Sequence, residues 1–126
     1  MATKTIKLLQ GIDTVIVRVR SLEAATQWYR EKLGLTPLFE DAATKLVVLD
    51  TGGPTSLTLL QTEVAISPNH HTASYPIFKT PDAAALRQEL TDRGIEAGEL
   101  LQDEYVKYFS FHDQEGNVLE ACQVLG

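Results

Sequence analysis

The 126-residue chain carries one pattern twice. Laid against itself with Thr14 on Tyr75, TVIVRVRSLEAATQWYREKLGL matches YPIFKTPDAAALRQELTDRGIE: Ile16 falls on Ile77, Arg18 on Lys79, Ala24 on Ala85 and Gln27 on Gln88. Each segment reads as a short alternating strand followed by a helix. Ser21 and Asp82 stand where an N-cap side chain would accept from the free amides of the first turn. Leu22, Ala25, Trp28 or Tyr29, and Leu33 recur at helical spacing and read as core, as do Leu86 and Leu90 in the second copy. Gly34 and Gly94 follow the helices, where a positive φ ends a helix at little cost.

Strand-like runs follow each helix. They are Leu38 to Glu40, Lys45 to Leu49 and Ser56 to Gln61 in the first half, then Glu96 to Leu101, Tyr105 to His112 and Asn117 to Val124 in the second. Turn signals at Thr51-Gly52-Gly53-Pro54 and Gln114-Glu115-Gly116-Asn117 separate them. The reading is an α+β chain of two βαβββ modules, at about residues 10–62 and 73–126, with a polar connector over about 63–72. The two modules form a single domain over 1–126, because neither half can bury its sheet alone.

Net charge is −6, which argues against a nucleic-acid partner, since phosphate binding needs a basic face. No apolar run approaches membrane length, and MATKTIKLLQGID lacks the apolar core and cleavage site of an export signal. The single cysteine, Cys122, excludes an internal disulfide and fits a cytoplasmic setting. No Ser-His-Asp arrangement, phosphate-binding loop or dinucleotide glycine pattern is present.

The combination of repeat, IDTVIVRVRSLEAATQWYREKLGL near the start and FHDQEGNVLEACQ near the end resembles the vicinal oxygen chelate superfamily, the glyoxalase, bleomycin-resistance and extradiol dioxygenase group. The first stretch is similar to that group's strand, cap and FYR-x-x-LGL helix, and the second to its F-x-DPDGN-x-x-E hairpin. Gln114 stands for the usual Pro and Glu115 for the usual Asp. The resemblance implies a cupped mixed sheet around a central cavity, commonly in a homodimer, binding a small molecule.

In metal-using members, the resemblance implies, one divalent ion is held by a His on the first strand of each module and a Glu, Gln or His on the last. Counted onto this chain, those positions are Thr14, Tyr75, Thr58 (or Leu57 in an ungapped alignment) and Glu120. Only Glu120 matches, so no metal and no cofactor is expected. The remaining histidines offer little: His70 and His71 are adjacent in the connector and read as solvated, and His112 as a strand-end residue. Strand parity carries Thr14, Ile16, Arg18, Thr58, Leu60, Tyr75, Ile77, Lys79, Tyr108, Ser110, Glu120 and Cys122 to the cavity side. Val15, Val17, Val19, Phe78, Phe109, Phe111, Leu119 and Ala121 then pack under the helices.

Glu120 has three readings: a structural carboxylate bonded to a tyrosine or paired with Arg18 or Lys79, a ligand-binding acid, or a general base. Cys122 reads as a small core residue. The expected function is metal-independent binding of a small molecule, in the manner of the drug-resistance branch, through Thr14, Ile16, Arg18, Thr58, Leu60, Ile77, Lys79, Ser110 and Cys122. The alternative is an enzyme, a lyase, isomerase or dioxygenase, that uses Glu120 with Tyr75 or Tyr108 or rests on an unrecognised metal site.

Overall fold

A computed structural model describes residues 8–67, 69 and 71–126; Pro68, His70 and the first seven residues, with the part of the export-signal reading and of the His70–His71 reading that falls on them, lie outside it. The first module runs β1 (Thr14–Val19), α1 (Leu22–Leu33), β2 (Thr36–Asp41), β3 (Leu46–Asp50) and β4 (Ser56–Gln61). The second repeats it as β5 (Ile77–Lys79), α2 (Ala83–Asp92), β6 (Leu101–Gln102), β7 (Val106–His112) and β8 (Val118–Val124).

Each module makes its own four-stranded mixed sheet, in the order β1-β4-β3-β2 for the first and β5-β8-β7-β6 for the second. The crossover helix makes β1 and β4 parallel, and likewise β5 and β8. Both sheets therefore present their first strand, β1 or β5, as an edge.

The caps form as the sequence predicts. Ser21 Oγ accepts from the Ala24 amide and Asp82 Oδ1 from the Ala85 amide. Gly34 takes φ 73° at the end of α1, and Gly94 takes φ 84° one residue beyond the last turn of α2. A second device, not anticipated, is shared by both halves. The glutamine ending β4, Gln61, accepts the Leu22 amide, and Gln123 on β8 accepts the Ala83 amide. Each helix is thus fastened at its first residue to the last strand of its own sheet.

The expected strand over Glu96 to Leu101 is a correction. Only Leu101–Gln102 pairs as a strand. The carbonyls of Ala97 and Gly98, which a ladder would use, instead accept the Arg87 guanidinium at 3.3 and 2.7 Å. Gly98 lies so close to β7 that a Cβ there would meet Ser110 Oγ at 2.9 Å.

One core serves both modules: Val17, Val19, Leu49, Leu57 and Leu59 from the first sheet merge with Phe109, Phe111, Leu119 and Ala121 from the second. The alternation read from the sequence is the alternation in space. Val19, Phe109, Leu119 and Ala121 are fully buried, whereas Ile16 and Ile77 are each 52% exposed on the opposite faces. Trp28, read as core, packs against that core but is only half-buried; its neighbour Tyr29 is fully buried.

Polar bonds from the β7–β8 turn lock the modules together. Tyr29 Oη donates to Asp113 Oδ2 at 2.7 Å, across 84 residues of sequence. Asp113 also accepts the amides of Glu115 and Asn117 and the Asn117 side-chain amide, so both oxygens are fully engaged. Asn117 Nδ2 reaches the Arg18 carbonyl, and Glu115 accepts the amides of Arg20 and Ser21. Burial, reinforced by the Asp113 charge and the bond to it, raises the Tyr29 phenol well above its ordinary 10.0, so it stays a donor.

Candidate functional site

The modules join through their helix-covered sides, so the candidate positions fall on the other face of each sheet. On the first sheet this open face carries Thr14, Ile16 and Arg18 from β1 beside Thr58 and Leu60 from β4. On the second it carries Ile77 and Lys79 from β5, Glu120 and Cys122 from β8, and Tyr108 and Ser110 from β7. Tyr75 stands just before β5 and is 40% exposed. The candidate residues thus divide between two sheets.

The register removes the ambiguity between Thr58 and Leu57. Thr58 pairs with Ile16 as Glu120 pairs with Ile77, so Thr58 is the repeat-equivalent of Glu120. Leu57 lies on the core side, 1% exposed. Thr58 itself is nearly buried, and its hydroxyl lies 2.7 Å from that of Thr14. Since the Thr14 hydroxyl donates to the Ser56 carbonyl, Thr58 donates to Thr14 in the arrangement that satisfies all three groups.

Glu120 sits between Ile77 and the exposed Ser110. No hydrogen bond or ion pair to its carboxylate is found among the described residues, and neither Arg18 nor Lys79 reaches it; the structural reading of Glu120 as a paired acid therefore finds no partner among them. Partial burial alone raises its affinity for a proton above the ordinary carboxylate value of 4.5. A half-buried acid with no partner among the described residues is a group that a ligand can use. Cys122, read as a core residue, is a free thiol on this open face, half-buried, in register with Lys79 and Tyr108.

Among known proteins, the family model of the Glyoxalase/Bleomycin resistance protein/Dioxygenase superfamily matches residues 11–121. The chain belongs to that superfamily. A comparison with curated proteins found none that matches. Solved structures share the fold. TnmS3, an antibiotic binding protein from Streptomyces sp. CB03234, is 22% identical with a TM-score of 0.80, covering 95% of this chain and all of that one. TioX from Micromonospora sp. ML1 is 19% identical, TM-score 0.73, over 92% of this chain and 100% of its own. A lactoylglutathione lyase from Agrobacterium tumefaciens is 18% identical, TM-score 0.73, over 93% and 96% of the two chains.

The divalent ion used by metal-dependent members does not fit here. The four repeat-related positions supply two threonine hydroxyls bonded to each other, a tyrosine and one carboxylate. Neutral hydroxyls are weak donors, and a site of this kind is ordinarily built from imidazole and carboxylate. Among the described residues no three His, Cys, Asp or Glu side chains gather elsewhere.

The sequence reading missed the groups that fix this geometry. Asp113 looked like one polar residue of a turn and Tyr29 like one more apolar helix position. The signal for Gln61 and Gln123 was present, a glutamine at the end of the last strand in both halves.

Proposed function

We propose that this protein binds a small molecule without a metal ion, sequestering a drug or metabolite rather than transforming it, and that it does so as a homodimer. The observation that carries the reading is Glu120, a half-buried carboxylate on the second sheet with no partner among the described residues. Around it stand a few hydroxyls and exposed Ile77, with exposed Ile16 on the other open face, the mixture of apolar walls and sparse polar groups that small-molecule pockets use. Glu120 recognises an amine or hydroxyl donor of the ligand, and Tyr75, Tyr108, Ile16 and Ile77 contribute contact area. A second copy covers the exposed isoleucines and completes the enclosure. The free thiol suits a reducing, cytoplasmic compartment. The description of TnmS3 as antibiotic binding supports ligand capture as a use of this fold.

The raised proton affinity of Glu120 favours one second reading, general-base catalysis by Glu120 with Tyr75 or Tyr108 as proton partner. The two readings part on one experiment. A ligand found by thermal-shift screening should be recovered unchanged after prolonged incubation, and Glu120→Gln should weaken its binding about tenfold or more if the ligand is cationic. Steady conversion to a product, lost in Glu120→Gln, would replace capture by catalysis.

A further inference from the structure

The open face of the second sheet ends at Ser110 and His112, and beyond it lies a separate hollow. It is a cavity of about 510 Å3, lined by Trp28, by the segment from Gly94 to Gly98, and by Ser110, His112 and Asp113. We propose that this hollow is a second binding site, one that takes a planar organic cation.

Its walls are built rather than incidental. Trp28 meets Tyr29 edge-on, ring centres 5.0 Å apart at 76°, and Tyr29 is fixed in turn by its 2.7 Å bond to Asp113. A half-buried indole anchored in this way loses little freedom when a ligand arrives. Another part of the lining is the stretch that fails to become a strand. Arg87 draws its carbonyls toward α2, and the close contact of Gly98 with Ser110 sets its distance from β7. Those two interactions keep an irregular backbone beside β7, where a regular ladder would have laid a flat strand.

Charge and ring chemistry select the ligand. The ionisable side chains lining the hollow are Glu96, Asp113 and His112, with no lysine or arginine. Asp113 is buried and spends both oxygens on the turn, which leaves the exposed Glu96 as the acid a ligand can meet. Arg87 approaches the same segment from α2, but its Nε and one Nη are committed to main-chain carbonyls. An aromatic wall and a nearby carboxylate attract a cation that is flat enough to lie on the ring. The volume falls within the roughly 300–1,000 Å3 of ordinary small-molecule pockets. Of these residues only Ser110 and His112 belong to the face that carries Glu120; Trp28 and Glu96, which meet the cation, do not, so this site stands whether or not that reading does.

Trp28 is the only tryptophan, so its emission reports on this hollow alone. Titration with 1-methylquinolinium should give saturable quenching with an unchanged excited-state lifetime, and neutral quinoline should bind at least about fivefold more weakly, the cation being the recognised feature. Glu96→Gln, an exposed substitution whose folding a melting curve verifies, should weaken the cation by about fivefold, whereas Glu120→Gln should not change it. Linear quenching that shortens the lifetime means collision only and overturns the proposal, as does equal binding of quinoline. Loss of binding in Glu120→Gln with Glu96→Gln unaffected would place the cation on the open sheet face and overturn it as well.

Discussion

At the scale of single residues, two buried or half-buried acids have opposite fates. Asp113 is saturated by four bonds and Glu120 by none among the described residues. Removing one donor from the first should therefore cost stability. Tyr29→Phe strips the phenol from a charge-assisted bond and should lower unfolding free energy by about 1.5–3 kcal/mol, measured by urea denaturation. A loss below the error of that measurement would mean that the bond contributes nothing net. Glu120 should behave in the contrary sense. Its proton affinity is higher folded than unfolded, so its contribution to stability is fully present below the ordinary value of 4.5 and is lost as pH rises through the raised value. Glu120→Gln removes that loss. The variant should melt no lower than the parent near neutral pH, and any advantage should fade in acid. A clear drop in melting temperature near neutral pH would instead show that Glu120 has a stabilising partner.

At the scale of elements, what the sequence made legible and what it hid have a common physical origin. Strand alternation in β1, β7 and β8, the capping residues Ser21 and Asp82, and the glycines after the helices are all local signals, and all appear as expected. Superfamily and two-module architecture were equally legible, through the repeat and the FHDQEGNVLEACQ hairpin. Hidden were the interactions between distant segments. The Glu96 to Leu101 strand failed because Arg87, on the preceding helix, competes for its carbonyls, and nothing in the local composition announces that competition. Trp28 and Tyr29 are adjacent and either fits the helical spacing, and it is Tyr29, bonded to Asp113, that is fully buried. The open faces were readable by parity, but not whether they closed on each other within one chain. Gly98 gives the element-level test. Gly98→Ala places a methyl 2.9 Å from Ser110 Oγ and 3.1 Å from its carbonyl, contacts that require a shift of β7 or of the segment. We expect a loss of about 1–3 kcal/mol. Adding Ser110→Gly should recover only part of it, because the carbonyl contact remains.

At the scale of the whole molecule, one side of each sheet builds the chain and the other is free to build a site. The clamp from the β7–β8 turn to β1 and α1 holds the two modules in a fixed relation through the shared core. What remains exposed, Ile16 and Ile77 with the open edges of β1 and β5, is the surface a second copy would cover. Light scattering should accordingly give twice the mass of the 13.9 kDa chain at about ten micromolar. Ile16→Lys should shift the equilibrium toward monomer while leaving the circular dichroism spectrum unchanged. A monomeric parent would leave the ligand face open and remove the basis for an enclosed pocket. No helix among the described residues is long and apolar enough to cross a membrane.

In the proposed function Glu120, and no metal ion, meets the ligand. Elemental analysis of the purified protein, set beside that of Glu120→Gln, tests it most directly. Far less than one Zn, Fe, Mn, Ni or Co per chain is expected in both proteins, unchanged after incubation with each ion and desalting. Close to one ion per chain in the parent, lost in Glu120→Gln, would contradict it.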